Sequence, residues 1–181
     1  MTAGRRTRPP SRARLRRIRL LVLDVDGVLT DGRLFLGPDE GEWKSFHVHD
    51  GLALVRAVAA RFPVAIVSSR SAPAVARRFA ELGVAEVHQG VADKLALYEA
   101  LCARLGCRDA EVACMGDDLP DLPLLRRAGL AVAPADAVPE VRRAAHWVSR
   151  MRGGRGAVRE VLEALLRARG AWESEGAIRA R

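Results

Sequence analysis

Leu20-Leu21-Val22-Leu23-Asp24-Val25-Asp26-Gly27-Val28 decides the fold of this chain. Four apolar residues in succession, with no alternation of polar and apolar, predict a short strand buried on both faces, as in a parallel sheet covered by helices. Asp24 and Asp26 then stand at its C-terminal tip. Ligands of open α/β sheets bind at that edge, and carboxylates two residues apart on the emerging loop can face one Mg²⁺ ion. The pattern points to phosphoryl transfer, against the alternative of an ordinary Asp-Gly turn. A calcium loop is set aside, because Val28 and Leu29 stand where that loop needs an oxygen ligand and a glycine.

Other strand ends supply partners. Glu111-Val112-Ala113-Cys114-Met115 reads as a second short apolar strand and runs into Gly116-Asp117-Asp118-Leu119-Pro120-Asp121, whose carboxylates land on the same edge. Val64-Ala65-Ile66-Val67 ends in Ser68-Ser69-Arg70, and Lys94 follows before the second acidic tip. Two acidic strand tips, a hydroxyl-bearing strand end and a lysine in this order resemble the four motifs of the haloacid-dehalogenase-like phosphatases.

Thr30-Asp31-Gly32, Trp43-Lys44-Ser45-Phe46, Asp50-Gly51, Gln89-Gly90, Asp93-Lys94-Leu95, Gly116-Asp117-Asp118 and Gly153-Gly154-Arg155-Gly156 narrow the resemblance to the 3-deoxy-D-manno-octulosonate 8-phosphate (KDO 8-phosphate) phosphatases. It covers residues 18–170. One departure is Ser68-Ser69-Arg70, where relatives usually carry Thr-Gly-Arg; the hydroxyl survives, and Ser69 is bulkier than glycine. The resemblance implies an Mg²⁺-dependent, cytoplasmic hydrolase of a sugar-acid phosphate in lipopolysaccharide precursor synthesis. It also implies a capless fold and a homotetramer with shared active sites.

Composition suits a single domain. The 181 residues are 49% hydrophobic, enough to bury a full core. The formal charge of +8 is unevenly spread: residues 1–19 hold eight Arg and no acid, whereas residues 20–181 hold 22 basic and 22 acidic side chains. An arm over residues 1–17, with Pro9-Pro10 and few apolar groups, is expected to be disordered. It reads as a solvated tail, with a transit peptide, a weak nucleic-acid tether or a misplaced start codon as alternatives. No signal-peptide apolar core and no run of about 20 apolar residues is present, so no membrane partner is expected. Cys102, Cys107 and Cys114 lack a Cys-x-x-Cys pair and read as reduced packing residues. His47, His49, His88 and His146 lack zinc-ligand spacing; His47 and His49 are expected to share a strand face, lining the site or simply belonging to the strand.

Along residues 18–170 the pattern alternates. Residues 34–36 and 43–48 around a turn at 37–41 predict a hairpin, within an insertion at about 31–48. Helices are expected over 51–61, 72–82, 93–105, 121–128 and 156–169, and strands over 64–67, 84–87, 112–115 and 130–132. Alternating βαβ units mean an α/β fold with a doubly wound parallel sheet. Residues 171–181 read as a tail.

The chemistry then falls to named groups. Asp24, first in its motif, is the expected nucleophile, and Asp26 the acid and base acting on the leaving oxygen and on water. Asp24, Asp117 and the backbone carbonyl of Asp26 are the expected Mg²⁺ ligands. Asp118 and Asp121 are second candidates, with an N-cap role for Asp121 placed slightly ahead. Ser68 would donate to a phosphoryl oxygen and Lys94 pair with phosphate and nucleophile. Only two of the 30 cationic side chains are Lys, and both, Lys44 and Lys94, lie in these motifs. Arg70, Arg155, Ser69 and Lys44 are the substrate-binding candidates, since Arg offers bidentate pairing to a sugar carboxylate. Arg155 has a helix cap or a subunit contact as alternatives. The other readings of the chain are a phosphatase of another nonulosonate 9-phosphate and a non-catalytic binding module.

Overall fold

The computed structural model describes residues 8–37 and 41–173. Its core is a six-stranded parallel sheet built from β1 (Leu20–Leu23), β4 (Val64–Val67), β5 (Glu86–His88), β6 (Val112–Met115), β7 (Leu130–Ala133) and β8 (Trp147–Val148), in the order β5-β4-β1-β6-β7-β8. A separate antiparallel pair, β2 (Phe35–Leu36) and β3 (Glu42–Trp43), forms the hairpin. The helices are α1 (Arg12–Arg17), α2 (Val48–Ala59), α3 (Pro73–Glu81), α4 (Lys94–Leu105), α5 (Leu122–Arg127), α6 (Pro139–Ala144) and α7 (Ala157–Ala168). This is the expected doubly wound α/β fold with a small hairpin.

The apolar run of β1 is buried along its whole length because helices cover both faces. Leu21 and Leu23 point into one core layer with α2, α7, Ile66 and Trp147. Leu20 and Val22 point into the other, with Ala65, Tyr98, Leu101 and Leu125. That is the two-residue period of a strand expressed through two apolar layers. β1 lies between β4 and β6, with Leu23 opposite both Ile66 and Met115. Three strand tips therefore end level, and the residues that follow them share one edge.

The expected disordered arm is corrected from residue 12 onward. Ser11 accepts a bond from the Arg14 N–H and opens α1, which packs on α7 and buries Leu15. Arg14 donates to the Gly129 carbonyl at 2.6 Å and Arg12 to the Ala168 carbonyl at 3.3 Å. Leu15 and Ile18 supply the apolar anchor that composition averaged over the arm conceals. Residues 1–7 lie outside the described residues.

The hairpin is shorter than expected, and residues 38–40 of its turn lie outside the described residues. The second strand ends early because His47 caps α2, its side chain accepting from the His49 N–H at 3.2 Å. His47 and His49 thus sit at a helix start and not on a strand face. The tail also begins later than expected. Trp172 is 5% exposed, with Arg159 and Arg56 stacked on its ring, while residues 174–181 lie outside the described residues. Besides α1, two elements escaped the sequence reading: α6 and the two-residue β8, whose Trp147 is fully buried.

Candidate active site

Asp24 follows β1 and is 9% exposed. From the start of α4, Lys94 reaches across the sheet edge; its Nζ donates to Asp24 Oδ1 at 2.6 Å and to Asp121 Oδ1 at 2.7 Å. Asp117, on the loop after β6, completes a carboxylate cluster: one oxygen each from Asp24, Asp117 and Asp121 lies within 4.8 Å of the others. Burial, then the neighbouring Asp121 charge, pushes the Asp24 carboxyl up to about 7 against the pull of Lys94. Burial and the charges of Asp24 and Asp121 push Asp117 to about 8. Burial alone would lower the Lys94 ammonium, but Asp24 and Asp121 raise it. One lysine among three acids leaves an excess of negative charge in a confined space. Such a donor set of hard oxygens fits a small divalent cation, which would relieve the repulsion.

The roles within the cluster differ. Asp121 Oδ1 is taken by Lys94, and its Oδ2 accepts the N–H of Asp117 at 3.0 Å and of Asp118 at 3.5 Å. Its side chain makes no cap bond to α5, which corrects the N-cap expectation. Asp121 instead fixes the Asp117 loop and Lys94 together. Asp118 turns to the Leu119 N–H at 2.7 Å and stands outside the cluster.

Two glycines make room. A methyl group on Gly27 would lie 2.0 Å from Asp117 Oδ2, and one on Gly116 would lie 2.3 Å from Asp121 Cβ. Gly27 also has φ 89°, a conformation glycine adopts at little cost. Behind them, the Gly153-Gly154 turn presses on the loop after β1: Gly154 N–H donates to the Val28 carbonyl at 2.9 Å, and a methyl on Gly153 would meet the Gly27 carbonyl oxygen at 1.8 Å. Asp50 holds that turn by accepting from the N–H groups of Gly156 at 3.0 Å and Arg159 at 2.7 Å. The Asp50-Gly51 and Gly-Gly-Arg-Gly motifs are thus a support for the Asp24–Asp26 loop.

Asp26 is half-buried beneath the hairpin. Its Oδ1 is paired with Lys44, whose side chain is 1% exposed, and its Oδ2 is buried without a partner. Ser68, at the tip of β4, is 2% exposed; its hydroxyl accepts the Arg70 N–H at 3.1 Å, which leaves its proton available to an oxygen ligand. Asp24, Asp26, Ser68, Ser69, Arg70, Lys94, Asp117 and Asp121 line one open cleft of about 290 Å³. Arg70 leans to the hairpin, donating to Glu42 Oε2 at 2.5 Å. Arg155 is not brought in: it is 64% exposed, pairs loosely with Asp31 at 3.7 Å, and borders a separate recess of about 490 Å³ with His47, His49, Arg150 and Arg159. Glu42, which links Lys44 to Arg70, escaped the sequence reading. The available signal was its position two residues before Lys44 in an apolar-flanked extended segment, a spacing that puts both side chains on one side of the chain.

Comparison with known proteins agrees with this geometry. A profile of the haloacid dehalogenase-like hydrolase family matches residues 79–162. The chain is 44% identical over 149 residues to the 3-deoxy-D-manno-octulosonate 8-phosphate phosphatase of Yersinia pestis, covering 82% of this chain and 80% of that protein. The crystal structure of a Yersinia pestis phosphatase of that name superposes with a TM-score of 0.87 and 42% identity, over 90% of this chain and 88% of that one. A Moraxella catarrhalis structure of the same name, in complex with magnesium ion, phosphate ion and KDO, has a TM-score of 0.86 and 36% identity over 90% of this chain and 94% of that one.

Proposed function

The chain belongs to the KDO 8-phosphate phosphatases, within the haloacid dehalogenase-like hydrolases, and from that membership we infer how its cleft works. It is a phosphomonoester hydrolase that converts KDO 8-phosphate to KDO and inorganic phosphate, with Mg²⁺ as cofactor. The observation that carries the mechanism is the cluster of buried Asp24, Lys94 and Asp121 with half-buried Asp117 at the ends of β1 and β6. Asp24 and Asp117, with the backbone carbonyl of Asp26, would hold the metal. Bound there, Mg²⁺ neutralises carboxylate and phosphate charge that would otherwise repel each other.

Asp24 is the nucleophile. Lys94 pins it through Oδ1, so the carboxylate meets phosphorus in a fixed orientation. As an Asp24 oxygen bonds to phosphorus, the bond from phosphorus to the sugar oxygen breaks, and Asp26 gives its proton to that departing oxygen. Asp26 then takes a proton from water, whose oxygen attacks the aspartyl-phosphate, releasing phosphate and restoring Asp24. The buried, unpartnered Oδ2 of Asp26 suits a group that must carry a proton in one half of the cycle and not in the other. Ser68 donates to a phosphoryl oxygen from its fixed place at the tip of β4. Ser69 borders the phosphate and Arg70, at the hairpin side, meets the sugar acid; Lys44, expected to bind substrate, is instead buried between Asp26 and Glu42 and holds Asp26 in place. Arg155 does not reach its own cleft and serves a neighbouring subunit.

We further propose that the enzyme works in the cytoplasm as a homotetramer. The three cysteines are free, and no helix among the described residues is long and apolar enough to cross a membrane. Phe35, Leu36 and Trp43 are 50%, 74% and 71% exposed on a hairpin beside an open cleft, a surface suited to burial against another subunit. Residues 12–172 form the catalytic domain. The test of the activity is phosphate release from a panel of sugar phosphates with and without Mg²⁺: KDO 8-phosphate is turned over fastest, and removal of the metal abolishes turnover.

A further inference from the structure

Glu42 sits between two cations, buried Lys44 and the cleft-lining Arg70. Its Oε1 is 2.6 Å from Lys44 Nζ and its Oε2 is 2.5 Å from an Arg70 terminal nitrogen. The Glu42 side chain is 13% exposed and that of Lys44 1%, whereas that of Arg70 is 47% exposed. The hydrogen bond from Arg70, with the Lys44 ammonium paired alongside, holds the Glu42 carboxyl below its usual range. The contact joins the hairpin strand β3 to the loop after β4, two elements 28 residues apart in sequence.

Arg70 keeps accessible donors beyond this contact, and Lys44 does not. An ammonium has three N–H groups and a guanidinium five in a rigid fork. Lys44, 1% exposed between Asp26 and Glu42, is spent inside the protein, whereas Arg70, 47% exposed, presents one terminal nitrogen to Glu42 and keeps the rest of its fork free for a ligand. Long cationic side chains lose considerable rotamer freedom when a ligand fixes them, and a partner that fixes them beforehand removes that cost from binding. We propose that Glu42, itself anchored by buried Lys44, is a positioning residue that holds Arg70 at the hairpin side of the cleft, so that the carboxylate of a sugar-acid phosphate meets a cation already in place. This inference rests on the phosphatase function above and adds the residue that gives the hairpin a part in selecting acidic sugars. A neutral sugar phosphate, which has no carboxylate, gains little from the arrangement.

The experiment compares wild type and Glu42→Gln as full chains on KDO 8-phosphate and on a neutral phosphate monoester, mannose 6-phosphate, with KM and kcat resolved for each. Glutamine keeps the shape and removes the charge. The expected result is a rise in KM for KDO 8-phosphate of roughly threefold to tenfold, with a much smaller change in kcat and a much smaller change in KM for mannose 6-phosphate. Glu42→Asp, too short to span both cations, should show the same split. A KM for KDO 8-phosphate that stays level or falls would overturn the proposal, because Glu42 would then be idle or a competitor. An equal loss on both substrates would also overturn it, because Glu42 would only be shaping the hairpin. Wild-type enzyme that ignores KDO 8-phosphate but turns over mannose 6-phosphate would instead sink the functional assignment, and this inference with it.

Discussion

Lys94 Nζ lies 2.6 Å from Asp24 Oδ1, joining the start of α4 to the tip of β1 across 70 residues of chain. The pair is buried, and a second acid, Asp121, shares the same ammonium. Folding alone would not gather these acids, because burial and mutual repulsion push Asp24 and Asp117 toward neutrality. On the mechanism proposed above, catalytic need explains a cluster that stability disfavours.

Asp24→Asn is expected to reduce phosphate release below detection, since the amide cannot attack phosphorus. Its melting temperature without metal should hold or rise, because one member of the repelling cluster is gone. Asp26→Asn should slow turnover by roughly 10² to 10⁴, the usual worth of an acid–base group. Steady-state phosphate release and thermal melts of both variants check this, and wild-type turnover by Asp24→Asn would sink the nucleophile assignment.

Stabilisation by Mg²⁺ should grow with pH. The Asp24 and Asp117 carboxyls are raised in the folded state, from the usual value near 3.8 to about 7 and about 8. A raised carboxyl contributes stability that is full below the unfolded value and is lost as pH rises through the folded one. The metal-free protein therefore loses this contribution progressively between pH about 4 and about 8. Mg²⁺ must displace the retained protons, so it binds weakly at the acid end of that window and best at its alkaline end. Melting curves with and without Mg²⁺ across that range should show a widening gap; a gap independent of pH would contradict the origin proposed for the shifts.

α1 should matter for stability and the preceding residues should not. Leu15 is 5% exposed against α7, so Leu15→Ala is expected to cost about 2 to 3 kcal/mol. Deleting residues 1–10 should leave both the melting temperature and kcat unchanged, whereas deleting residues 1–17 should lower the melting temperature by several degrees. Equal melting temperatures for the two truncations would show α1 to be dispensable.

Assembly can be weighed directly. Light scattering is expected to give a mass near four times the 19.6 kDa chain. Trp43→Asp, which places a charge on the exposed hairpin face, should lower both assembly and activity. A fully active monomer would remove the shared-site proposal and leave the chemistry of the cleft untouched.

The sequence by itself determined the sheet and the edge at which its acids gather. Unbroken apolar runs at 20–23, 64–67 and 112–115 specify strands buried on both faces, and the acids and serine that follow each run have nowhere to go but the same edge. Tertiary structure alone decided how the polar groups divide the work. Asp121 reads locally as a cap, yet Lys94 and the N–H of Asp117 claim its two oxygens, and no local pattern encodes contacts 27 residues apart. α1 looks like a solvated arm until α7 offers Leu15 a surface, because propensity cannot foresee a partner so distant in sequence. Glu42 and Arg70 meet only when the hairpin folds over the tip of β4. Periodicity records which face of an element is apolar, whereas the pairing of charges depends on which elements the chain brings together.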